Sequence, residues 1–94
     1  MENKTYRVLL RGNNVWLDID GERQRYGFYT TLVVVTPNAE MAETLAVTAI
    51  RAELKSRARN RSSDPCVVVA ERVDETTRVE LSSPGISFFR ERSF

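Results

Sequence analysis

Arg23-Gln24-Arg25-Tyr26-Gly27-Phe28-Tyr29-Thr30-Thr31-Leu32-Val33-Val34-Val35-Thr36, followed at once by Pro37 and an alanine-rich stretch, decides the fold class of this chain. Its β-branched and aromatic side chains favour a long strand. At Thr36-Pro37 the apolar residues change from a two-residue to a helical period, which marks a strand passing directly into a helix. Pro37 suits the first helical position, where its missing N–H is not needed, with Thr36 as N-cap and Asn38 as the alternative cap.

Upstream, Tyr6, Val8 and Leu10 alternate with Thr5, Arg7, Leu9 and Arg11, and Val15, Leu17 and Ile19 alternate with Trp16, Asp18 and Asp20. Each run has the period of a strand with one face toward a core. Gly12-Asn13-Asn14 between them tolerates positive φ and reads as a turn, and Asp20-Gly21 as a second tight turn. The expectation is a three-strand antiparallel meander over 5–11, 15–20 and 24–36. Gly27, within the third strand, signals a bulge or a close backbone approach.

Downstream, the pattern predicts a helix over 38–58 with Met41, Ala42, Leu45, Ala46, Ala49 and Ala52 on its packed side and Glu40, Glu43, Arg51 and Lys55 toward water. A fourth strand follows over 66–73, lying parallel to the third or beside the first. Arg78-Val79-Glu80-Leu81 is a short edge strand that would make a fifth, and Ile86-Ser87-Phe88-Phe89 is an apolar tail that needs a surface to pack on. The fold class is α+β: a mixed, mainly antiparallel four-stranded sheet in the order β-β-β-α-β, with one helix on one face. Residues 1–94 suffice for one domain and one core.

Fourteen basic and thirteen acidic side chains nearly cancel, so no global field gathers nucleic acid or anionic lipid. With no histidine and a single cysteine, Cys66, the chain lacks the usual acid/base and metal-ligand residue and cannot form an internal disulfide. Cys66, ahead of Val67-Val68-Val69, reads as a buried thiol. No apolar run approaches the ~20 residues of a membrane helix, and no secretory signal pattern is present, so the expected setting is the cytoplasm.

Two residue sets invite a functional reading. Trp16, Tyr29, Phe88 and Phe89 are candidates for a protein interface, since one helix covers only one face of a sheet whose other face carries Leu9, Trp16, Tyr29, Val33 and Val35. Arg51, Lys55, Arg57, Arg59 and Arg61 form the one concentration of like charge, a candidate nucleic-acid contact, with Arg51, Lys55 and Arg59 on one helical face if the helix persists. No aromatic residue interleaves with that cluster, and the ordinary alternative is a solvated helix end that complements the dipole.

Asp18, Asp20 and Glu22 depart from a calcium loop, and Ser62-Ser63-Asp64 lacks a base to activate a hydroxyl. Asp18, Asp20, Glu71 and Glu80 could form an enzyme site only by meeting in space. No cofactor, metal or catalytic set is expected. The leading expectation is a non-enzymatic protein-binding or regulatory module that self-associates as a homodimer or binds another protein. The alternatives are weak nucleic-acid binding through the basic helix end and an enzyme whose carboxylates converge only in three dimensions.

Overall fold

The computed structural model describes residues 2–77 and 86–91. They form β1 (Lys4–Ile19), β2 (Glu22–Thr36), α1 (Ala39–Lys55), β3 (Val67–Glu75) and β4 (Ser87–Arg90). The strands lie in the order β3-β1-β2-β4, with each described pairing antiparallel. Of the two places open to the strand after the helix, it takes the one beside β1. The connection through α1 therefore carries the chain from β2 over β1 to β3. One helix on a four-stranded sheet is the α+β architecture that the hydrophobic periods imply.

The expected turn at Gly12-Asn13-Asn14 does not form. Lys4–Ile19 is one continuous strand, and those residues make a bulge within it. Gly12 pairs with Phe28 and Val15 with Tyr26, so Asn13 and Asn14 together oppose Gly27. Asn14 has φ 58°, the conformation its side chain tolerates, and here it bends a strand instead of reversing it. The extra residue also exchanges odd and even positions. Tyr6, Val8 and Leu10 before the bulge, and Val15 and Leu17 after it, consequently all enter the core. The chain does reverse at Asp20-Gly21, with φ 52° and 80°, between the paired residues Ile19 and Glu22.

The fourth strand of the sheet comes from the apolar tail. Ser87–Arg90 lies along Tyr26–Tyr29 of β2, placing Phe88 edge-on to the fully buried Phe28 at 5.9 Å between ring centroids. The described element order is thus β-β-α-β-β in place of β-β-β-α-β. The expected strand at 78–81 lies outside the described residues.

Asn38 caps α1: its Oδ1 accepts from Met41 N–H at 2.9 Å. Thr36 ends β2 buried, its hydroxyl without a described partner, and Pro37 precedes the cap. The helix stops at Lys55, short of 58. Its packed residues are Ala42, Ala46, Ile50 and Leu54, whereas Met41, Leu45, Ala49 and Ala52 are exposed. A four-residue step advances about 40° around the helix, so this stripe winds across it and follows a twisted sheet. Alanine at the first two contacts lets the helix backbone come close to the sheet.

Candidate functional site

Beyond α1 the chain docks against the bulged half of β1, where β3 no longer pairs. Arg59 N–H donates to the Trp16 carbonyl at 2.7 Å, extending the sheet-like bonding past Asn13. The Asn60 side chain completes it. Its Oδ1 accepts from Trp16 N–H at 3.0 Å and from the Cys66 thiol at 3.2 Å, while its Nδ2 donates to the carbonyls of Asn14 and Asp64 at 2.7 and 2.8 Å. Asn14 Nδ2 donates to Asp64 Oδ1 at 2.8 Å, and Asn14 N–H to Glu91 Oε1 at 2.9 Å. The backbone groups that the bulge withdraws from the ladder are therefore met by side chains from distant segments.

Cys66 is half-buried, and that burial pushes its thiol above its ordinary value. It remains the protonated donor to Asn60, the opposite of a poised nucleophile. Neither Asn60 nor Asp64 stands out in the sequence, where Asn60-Arg61-Ser62-Ser63-Asp64 has only the composition of a loop.

On the side of β1 away from the core, this docked loop encloses a depression of about 430 Å³ lined by Trp16, Arg23, Arg59, Arg61, Ser63 and Asp64. Trp16 Nε1 donates to Asp64 Oδ2 at 3.2 Å, which holds the indole by its edge. Asp18, two residues along the same strand, accepts from Arg23 Nε at 2.8 Å and Nη2 at 3.1 Å, with Arg59 Nε at 3.7 Å. The hydrogen bonds from Arg23 lower the Asp18 pKa, and Asp18 raises that of Arg23 in turn. A neighbouring depression of about 260 Å³ shares Arg61 and is lined also by Arg51, Lys55 and Cys66.

The early end of α1 breaks up the basic set. Arg59 leaves the helical face of Arg51 and Lys55, and Arg57 turns to the other side, its guanidinium 4.9 Å above the Phe88 ring. Arg59 and Arg61 line a depression with Trp16 instead. The aromatic group missing from the linear neighbourhood of the cluster is thus supplied by a strand more than forty positions away in sequence.

The interface candidates also part company. Tyr29 and Phe89 stack at 5.8 Å on the sheet face opposite α1, while Phe88 packs inward against Phe28. Trp16 lies opposite Arg25, further toward the hairpin tip. The same helix-free face also presents Val35, six positions along β2 from Tyr29, and Val67 and Val69 on β3, across β1 from the pair; these five side chains keep 40–57% of their surface. Arg11 with Glu71 at 2.9 Å and Arg72 with Asp74 at 2.6 Å are ion-paired on the same side of β1 and β3.

The carboxylates considered for catalysis do not converge among the described residues: Asp18 serves Arg23, Asp20 forms the turn and Glu71 serves Arg11. Glu80 lies outside them. Among the described residues no group of three metal-ligating side chains occurs, and no helix is long and apolar enough to cross a membrane. No protein-family model, curated protein or solved structure matches the chain.

Proposed function

We propose that this chain is a non-enzymatic protein-interaction module that self-associates through the helix-free face of its sheet. The observation that supports this reading is the stacked Tyr29–Phe89 pair on a sheet face that also exposes Val35, Val67 and Val69. Aromatic and β-branched side chains exposed on one sheet face favour burial against another surface. From strand lengths and spacings, the whole helix-free face, its Trp16 end included, measures roughly 700 Å², somewhat less than the ~800 Å² that each partner contributes to a stable complex. A second copy is the simplest occupant, because a two-fold axis lets one patch meet itself. The charges near the patch are already paired within the chain, so their desolvation does not leave a single sign uncompensated.

Sedimentation or light scattering at micromolar concentrations tests the proposal. The expected result is a dimer mass for the native chain and a monomer for Tyr29→Lys with an unchanged far-ultraviolet spectrum. A native chain that stays monomeric throughout that range overturns it.

A further inference from the structure

We propose that the depression around Trp16 and Arg61 binds single-stranded nucleic acid, with a base stacked on the indole and the phosphate backbone drawn past Arg61 toward Arg51 and Lys55. This site lies at the hairpin end of the same helix-free face, beyond the Tyr29–Phe89 pair, and is read from different observations. First, Trp16 is half-buried and held by its edge through Asp64, and none of the ring stacking or cation–π pairs among the described residues uses its indole. An indole face beside cationic groups is the combination that single-strand binders use, because every base offers a π surface.

Second, the local charges are unequal in availability. Arg23 and Arg59 are committed to Asp18, and Asp64 to Trp16 and Asn14. Arg61 has no acidic partner among the described residues and borders both depressions. The further depression has Arg51, Lys55 and Arg61 on its walls and no carboxylate. A ligand that lays an aromatic group on Trp16 and continues as a polyanion past Arg61 therefore meets Arg51 and Lys55 with no carboxylate beside them in the second depression. Third, about 430 Å³ falls within the ~300–1,000 Å³ of small-molecule pockets, and a second depression beyond it favours a strand over an isolated nucleotide. Asp64 on the wall of the first depression, with Arg23 and Arg59 already paired to Asp18, opposes a bare anion there, which is why the base and not the phosphate is assigned to it.

Trp16 is the only tryptophan, so its emission reports on this pocket without a label. Titration with an oligothymidylate of about ten nucleotides is expected to quench it to saturation. Two or three phosphate contacts imply roughly a tenfold or greater weakening between about 50 and 200 mM salt. Arg61→Ala is expected to weaken binding about tenfold and flatten the salt dependence, and Arg61→Lys to restore most of both. Arg61 makes no described side-chain bond, so both variants are expected to keep the native circular dichroism. With a dye-labelled strand followed by anisotropy, Trp16→Ala is expected to bind at least several-fold more weakly.

Absence of quenching at low salt overturns the proposal, as does quenching unaltered in Arg61→Ala. Equal quenching by inorganic phosphate or thymidine monophosphate reassigns the site to a small anion and overturns it as a strand site. Scattering on the same samples keeps this outcome apart from that of the dimer proposal.

Discussion

Gly12 and Gly27 lie where an aromatic ring from the adjacent strand covers the backbone, but they differ in how much that ring can give. A Cβ on Gly12 would stand 1.8 Å from the Phe28 ring, and Phe28 is fully buried. A Cβ on Gly27 would meet Phe89 at 2.6 Å and the Gly12 carbonyl at 3.1 Å, yet Phe89 is half exposed and its ring can swing outward. Gly12→Ala is therefore expected to cost about 3 kcal/mol and Gly27→Ala about 1 kcal/mol, since overpacking is severe only where nothing can yield. Urea denaturation monitored by circular dichroism measures both, and equal losses would contradict this account. Gly27→Ala should also disturb the Tyr29–Phe89 stack. The sequence reading of Gly27 as a close approach holds, while Gly12, read as a turn residue, is a packing residue.

The bulge in β1 explains both what local sequence could reveal about the elements and what it could not. Gly12-Asn13-Asn14 carries the chemistry of a turn, and a bulge with a residue at positive φ calls for the same chemistry. Only continued pairing with β2 on both sides of the interruption distinguishes the two, and that pairing is not a local property. The strand-to-helix switch and the Asp20-Gly21 turn were legible because each is decided within a few residues. The packed stripe of α1 was displaced from its expected position because the twisted sheet, and not the density of alanine, selects Ile50 and Leu54. Removing Asn14 by deletion restores a regular ladder and leaves Val15 and Leu17 facing the core, while abolishing the Asn14 bonds to Asn60, Asp64 and Glu91. The shortened protein is expected to keep its sheet protection in hydrogen exchange and to lose protection at Arg59 N–H. Loss of protection throughout β1 would mean that the bulge is essential to the fold itself.

At the scale of the whole molecule, the fold was more legible than either candidate site. Alternation and the helical period specify layers, and layers are what an α+β class requires. The meeting of Trp16 with Arg59 and Arg61 depends on where the chain goes after α1 ends, and no pattern spans that distance. Phe88 and Phe89 were recognisable as apolar, but their separation to opposite faces follows only from pairing with Phe28 and Gly27. The hairpin of β1 and β2 has a consequence in time as well as in space. Its two-residue turn allows the strands to zip from Asp20-Gly21 with little loop to close, an event of microseconds for a hairpin. β3 and β4 must find partners across much longer loops, as Asn13 with Val67 and Tyr26 with Arg90 show. Assembly is therefore expected to start at the hairpin and to recruit β3 late, with the helix folding down between. Leu17→Ala should chiefly slow refolding and Val68→Ala chiefly hasten unfolding, as read from the two arms of a stopped-flow chevron. The reverse pattern would put the nucleus at the far edge of the sheet. The partly folded chain would then be a hairpin still waiting for its edges, and its lifetime would decide how long the central strands stay open to another chain.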